Sequence, residues 1–310
     1  MPSPVMDDTP PVCDYEGSDY RTRFWEGQGR SYEDQVERVA LRRLMPPAGQ
    51  TLIEIGAGFG RLADEYRGYR QVVLFDYSRS LLREAQAQLP QLAAPDTQFI
   101  FVAGNWYKMP FVAGLFDTMV QVRTLHHAAD VPALMQQLAR IARPGGRYVL
   151  EFANKQNLKA ILRYSLRRQD WSPFAPEPVE FTALNFDFHP HWIRQQLQQA
   201  GFHPGRVLSV SHFRLGVLKK AVPNGWLVWA DSLLQATGGW WQLTPSIFTA
   251  SAHPEAGESA RPGSFFACPE CGTPLSHILP GPQNTRLTCS ACELQWGVTD
   301  GLYDFKEPLK

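Results

Sequence analysis

Neither sign of charge is in excess: thirty Lys and Arg balance thirty Asp and Glu, giving a formal net charge of zero. A nucleic-acid-binding chain usually carries a basic surplus, so such a role would need a local patch. The opening Met-Pro-Ser-Pro-Val-Met-Asp-Asp lacks a basic segment followed by an apolar core, so no signal peptide is expected. A long apolar run is missing too. The most apolar stretch, Trp226 to Trp241, is broken by Asp231, Gln235 and Gly238-Gly239 and would not span a bilayer. Cysteine is sparse, with five in 310 residues, and Cys13, standing apart from the others, reads as an inert thiol. These absences point to a soluble, cytoplasmic protein. With 44% hydrophobic and 19% charged residues, the chain can bury a sizeable core. Its length suits one large domain with a small one, or two domains.

The stretch that organises the chain is Leu52-Ile53-Glu54-Ile55-Gly56-Ala57-Gly58-Phe59-Gly60-Arg61. It reads as a buried strand, a glycine turn and the start of a helix. Glycines at alternate positions allow a tight turn and let a ligand lie against the main chain. A P-loop would end in Gly-Lys-Ser/Thr, which does not follow Gly60. A dinucleotide fingerprint would place its third glycine where Arg61 stands.

Downstream, strands are expected at Gln71–Asp76, Gln98–Val102, Leu115–Val122 and Arg147–Phe152, with helices capped by Ser78 and Asp130 between them. This alternation predicts an α/β fold with a doubly wound, mostly parallel sheet. A helix capped by Ser31 and running through Leu44 precedes it, and strands near Val207–Phe213 and Ser246–Ala250 complete a seven-stranded sheet. Asp76 lies twenty positions after Gly56, at a strand end, where a carboxylate can accept hydrogen bonds from a ribose diol; a turn or cap role is the alternative.

The order Gly-x-Gly-x-Gly, strand-end Asp76, Asn105-Trp106-x-x-Met109-Pro110-Phe111, Phe116-Asp117, Leu125-His126-His127 and Arg143-Pro144-Gly145-Gly146 resembles the class I S-adenosylmethionine (SAM)-dependent methyltransferases, particularly the type 11 small-molecule branch. The resemblance covers about residues 51 to 151, more weakly to 250. It implies a Rossmann-like fold and SAM as cofactor. Glu54, Gly56 and Gly58 would lie along the methionine portion, with Ala57, Gly60 and Arg123 in the same cofactor site. Asp76 would hold the ribose, and Tyr77 and Trp106 would flank the adenine. Asn105 stands where the family commonly has Asp; its amide oxygen can still accept from the adenine amino group. His126 or His127, after the fourth strand, is the candidate general base for acceptors that carry a proton. The other reading makes one of them a packing or capping residue.

Cys268-x-x-Cys271 and Cys289-x-x-Cys292, seventeen residues apart, suit a closed tetrahedral Zn²⁺ site of structural type. With Gly301-Leu302-Tyr303-Asp304-Phe305, this segment resembles the zinc ribbons of Trm112-like proteins, which support methyltransferases acting on the translation machinery. The expected organisation is an N-terminal arm and helical cap (1–50), a SAM-binding methyltransferase domain (51–250), a linker (251–264) and a zinc ribbon (265–310).

The acceptor is less legible. Lys155, Lys159, Arg163 and Arg167 recur every four residues as a basic stripe, and Trp226, Trp229, Trp240 and Trp241 crowd an insertion. The stripe reads as a solvated face or as a contact with RNA or lipid headgroups. The tryptophans read as core, as an apolar substrate wall or as a peripheral membrane rim. Tyr20, Phe24, Trp25 and Tyr32 read either as packing or as a lid over the cofactor. The favoured function is methyl transfer to a small or lipophilic acceptor. The alternatives are an RNA or translation-protein substrate, and a non-catalytic scaffold presenting the ribbon to a partner.

Overall fold

The computed structural model describes residues 9–19, 21, 29–89, 96–275, 279–281, 283 and 285–309. Tyr20, Phe24 and Trp25, expected in a lid, lie outside the described residues.

Helix α1 (Ser31–Leu44) leads into β1 (Gly49–Ile55), β2 (Tyr69–Asp76), α2 (Arg79–Gln88), β3 (Gln98–Ala103), β4 (Phe116–Gln121), α3 (Val131–Ile141) and β5 (Ala142–Ala153). Strands β3, β2, β1, β4 and β5 lie side by side in that order and are all parallel. Side chains alternate across the sheet: Ile53 and Ile55 face one apolar layer, and Leu52, Val72 and Leu74 the other. Ser78 caps α2 by accepting from Leu81 N, and Asp130 caps α3 by accepting from Ala133 N at 2.9 Å.

Beyond β5 come α4 (Leu158–Ser165), the hairpin β6 (Val179–Thr182) and β7 (Asn185–Asp187), α5 (Pro190–Gln199), β8 (His203–Val210), α6 (Gly216–Ala221), α7 (Asn224–Leu234) and β9 (Ser246–Ala252). β9 pairs antiparallel with both β5 and β8, closing the seven-stranded order expected.

The sheet does not stop there. β10 (Arg286–Thr288), β11 (Gln295–Thr299) and β12 (Leu302–Asp304) form an antiparallel meander, and β12 pairs parallel with β3. The result is one ten-stranded sheet. The expected linker is held down along its course: Gly145 N donates to Pro254 O, and Ala260 N to Gly114 O, both at 2.9 Å. It delivers Phe265 and Phe266 into a cluster with Phe111, and the same apolar layer contains Cys268, Trp296 and Phe305. The ribbon and the main sheet therefore share one core. A segment of this size buries too little surface to stand by itself, so it borrows the sheet's edge.

Two further expectations change. α4 spans only eight residues, so the basic stripe is not one helix face. Lys155 precedes it, is buried, and donates from Nζ to Ala175 O (3.0 Å) and Glu177 O (2.6 Å). The insertion's tryptophans are not core: Trp226, Trp229, Trp240 and Trp241 are all exposed, while Leu227 and Asp231 of α7 are buried.

Candidate active site

The carboxyl ends of β1, β2 and β4 open onto a cavity of about 800 Å³. Its floor is the glycine loop. Gly56, Gly58 and Gly60 all have positive φ, at 71°, 53° and 76°. A Cβ on Gly56 would meet Thr124 Cγ2 at 2.3 Å, whereas one on Gly58 would find only Leu81 at 3.9 Å. Gly56 is thus fixed by crowding as well as by dihedral, and Gly58 by dihedral alone. A Cβ on Gly60 would press on Leu89 and Ala85, so this glycine serves the packing of α2 and does not line the cavity.

Asp76 ends β2 and lines the cavity. Its Oδ2 accepts from Gly58 N at 2.7 Å and its Oδ1 from Ser78 N at 2.8 Å. Burial pushes its pKa up, and the backbone donors pull back. Asp76 therefore ties the loop to the strand end, the turn role, while still facing the cavity where a ribose would sit.

Glu54 lies beneath the loop, buried, with the Tyr66 hydroxyl beside it and Oε2 outside any well-formed hydrogen bond among the described residues. Burial raises its pKa to about 8, against the opposing field of Arg61 and the Tyr66 hydroxyl. A buried carboxyl with an idle oxygen is a natural acceptor for a ligand's ammonium group.

Arg123, at φ 62°, turns the chain after β4. Its N–H donates to Glu151 Oε2 at 2.8 Å, and its Nε to Glu37 Oε1 at 2.7 Å. Glu37 is fully buried and also receives Arg61 at 2.9 Å. Burial pushes Glu37 upward, yet the Arg123 and Arg61 guanidiniums win and hold it below the usual carboxylate range. No single residue type in the sequence marked Glu37 or Glu151 as part of this wall. A buried acid inside each apolar pattern was the available signal.

Ala57, Tyr77 and Trp106 line the cavity as expected. Asn105 does not: its Oδ1 is taken by Tyr107 N at 2.8 Å in a tight turn. The N-terminal arm contributes Val12, Cys13 and Tyr15, which sequence reasoning missed because the arm reads as loose. Glu16 pins it, accepting from Arg79 N (2.7 Å) and Ser80 N (3.0 Å) at the N-terminus of α2.

Of the two histidines, His127 lines the cavity and His126 does not. His127 Nδ1 donates to Leu184 O at 2.8 Å, leaving Nε2 to accept from Tyr15 OH at 3.1 Å. Burial holds both imidazoles below their ordinary pKa. A base at His127 would first have to surrender one of these bonds.

At the other edge, the sulfurs of Cys268, Cys271, Cys289 and Cys292 all lie within 4.8 Å of one another, with Cys268–Cys292 at 3.6 Å and Cys271–Cys289 at 3.4 Å. Four thiolates at about 2.3 Å from a zinc ion stand roughly 3.8 Å apart in a tetrahedron, so the donor set fits such an ion and not disulfides.

The strand order, the glycine loop and the strand-end acid define a class I methyltransferase fold. Residues 53–150 match the family model described as a methyltransferase domain. Over 166 residues the chain is 31% identical to a demethylmenaquinone methyltransferase of Beutenbergia cavernae, covering 53% of this chain and 66% of that protein. Over 138 residues it is 27% identical to the 27-O-demethylrifamycin SV methyltransferase of Amycolatopsis mediterranei, covering 43% and 51%. The chain thus spans about half to two thirds of the length of these relatives. Among solved structures, the complex between the Haloferax volcanii Trm112 methyltransferase activator and a methyltransferase superposes with TM-score 0.50 at 17% identity, covering 76% of this chain and 98% of that one. A SAM-dependent methyltransferase from Mesorhizobium loti gives the same score and identity, covering 72% and 100%. These structures share the fold.

Proposed function

We propose that this chain is a SAM-dependent methyltransferase acting on a small or lipophilic acceptor. The observation that carries the reading is the cavity joining the glycine loop, Asp76 and the unpartnered Glu54 Oε2. Glu54 would hold the methionine ammonium, Asp76 the ribose, and Tyr77 and Trp106 the flanks of the adenine. SAM supplies a methyl group already activated on sulfur, so the protein's work is to position an acceptor in line and keep water out. Arg123, locked by Glu37 and Glu151, fixes the wall between cofactor and acceptor sides.

The curated relatives named above act, by their names, on a demethylmenaquinone and a demethylrifamycin, which favours a small-molecule acceptor. The RNA or translation-protein reading loses one of its two supports, the basic stripe, and keeps the other, the ribbon. A scaffold without activity has no use for a cavity so furnished. The four cysteines would hold one structural Zn²⁺, and the ribbon, with its likeness to Trm112-like proteins, would brace the β3 edge beside the cofactor site. No helix among the described residues is long and apolar enough to cross a membrane.

Calorimetric titration with SAM tests the reading. Wild type should bind, and Asp76→Ala should lose about 1.5–3 kcal/mol, the range for a hydrogen bond to a charged group. No binding by wild type would refute it.

A further inference from the structure

A second, larger cavity of about 1830 Å³ lies between α4, residues 211–215 and residues 241–245. It opens at the same sheet edge as the glycine loop, since Ser211 follows the carboxyl end of β8 and Pro245 precedes β9. Three observations mark it as a built site.

The first is a pair of idle polar atoms. Ser211 is fully buried, lines the cavity, and its Oγ has no partner among the described residues. Its φ of 69° is a strained conformation for a residue with a side chain. The neighbouring His212 Nε2 is likewise buried without a partner among the described residues. His212 Nδ1 sits 3.1 Å from Asp231 Oδ2, which also accepts from His212 N (2.7 Å) and Tyr32 OH (2.6 Å). Asp231 is fully buried and holds the Nδ1 side of the ring, so Nε2 is the ring nitrogen left to meet a ligand.

The second is an apolar wall left in the open: Leu158 and Leu162 of α4 are each 53% exposed, and Trp241 opposite them 55%. The third is charge. Lys159, Arg163, Arg168 and Arg214 line the cavity against a single acid, Asp187. Arg214 Nε lies 3.8 Å from Glu33 Oε1, and the charges of Glu37 and Arg123 act on it. Arg123, whose charge acts on Arg214, lines the first cavity.

We propose that the second cavity is the acceptor site, taking an amphipathic molecule with an apolar chain, an anionic group held by Lys159 and Arg163, and a hydroxyl that hydrogen-bonds His212 Nε2. This rests on the methyltransferase reading above. The apolar chain covers the leucines and Trp241, and the hydroxyl satisfies an atom that otherwise stays buried and unpaired.

The test is calorimetric titration of the full chain with dodecanoate hydroxylated at its far end, with dodecanoate and with dodecanol, each kept monomeric. The hydroxy acid should bind roughly tenfold more tightly than either control, the worth of one hydrogen bond or one paired charge. His212→Phe should erase the hydroxyl preference and leave dodecanoate unchanged. The double variant Lys159→Glu, Arg163→Glu should weaken both acids about tenfold but not dodecanol, less so at high salt. SAM titrated into the same proteins reports the first cavity separately and should be unchanged. Equal binding of all three probes by wild type, or a hydroxyl preference that survives His212→Phe, would overturn the proposal. So would binding to anionic vesicles with no saturable binding of monomeric probe. Failure of SAM alone to bind would sink the methyltransferase reading and with it the acceptor role, while the probe titrations would still decide whether this cavity binds an amphipathic ligand.

Discussion

The Lys306 ammonium lies 3.9 Å from the centroid of the Tyr77 ring. Lys306 follows β12 of the ribbon, and Tyr77 lines the first cavity one residue after Asp76. The same ammonium reaches Asp14 Oδ2 at 3.4 Å, in the arm that supplies Val12, Cys13 and Tyr15 to the cavity. Next to it, Arg79 Nε meets Asp304 Oδ2 at 2.6 Å and Phe305 N donates to Ala103 O at 2.7 Å. One end of the ribbon thus holds a wall of the cavity and the arm across it.

Lys306→Ala should weaken SAM binding several-fold, since a partly desolvated cation–π contact contributes on the order of 1 kcal/mol. Lys306→Arg should retain most of the affinity. Titration of both variants decides it; unchanged affinity in the alanine variant would mean Tyr77 and the arm are held without the ribbon.

Removing the metal from the ribbon should destabilise the whole chain. Metal analysis should find one zinc per chain, and Cys271→Ser or chelation should lower a single thermal transition, because Cys268, Trp296 and Phe305 belong to the main core. Two separate calorimetric peaks, with only the smaller one sensitive to chelator, would contradict the shared core.

The glycines of the loop should respond unequally. Both Gly56→Ala and Gly58→Ala force an unfavourable dihedral, which costs on the order of 1–3 kcal/mol. Gly56→Ala adds the collision with Thr124 and should be the worse of the two in urea denaturation. Equal losses would show that Thr124 yields freely.

SAM binding at pH 7 should release a proton. Burial raises Glu54 to about 8, so the free protein carries it protonated, and an incoming ammonium favours the carboxylate. Affinity should rise from about pH 6 toward 8. Stability of the unliganded fold runs the other way. A carboxyl whose folded pKa is raised loses stability for the fold as pH climbs from its unfolded pKa to about 8. Calorimetry in buffers of different ionisation enthalpy measures the release, and Glu54→Gln should abolish it. A proton count near zero for wild type would remove Glu54 from the ammonium site.

The sequence by itself determined the central sheet and its glycine loop. The signals there are local: apolar alternation in β1 to β5, glycines at alternate positions, Ser78 and Asp130 as caps, and four cysteines at metal spacing. Each follows from what a short segment needs in order to form. Asp76 and Glu54 were legible for the same reason, as acids placed at a loop whose geometry was already implied. Only the tertiary structure decided where the ribbon goes, because edge pairing of β12 with β3 depends on an unpaired strand edge far away in the chain. It also decided that Lys155 is a buried strut and that the tryptophans stay outside, since helical spacing cannot tell a covered face from an open one. The pairing of His212 with Asp231, and the wall built from Glu37, Arg123 and Glu151, are contacts between residues dozens of positions apart or on different elements. Such contacts leave no period in a sequence; they exist only once burial has made an unpaired charge too costly to leave alone.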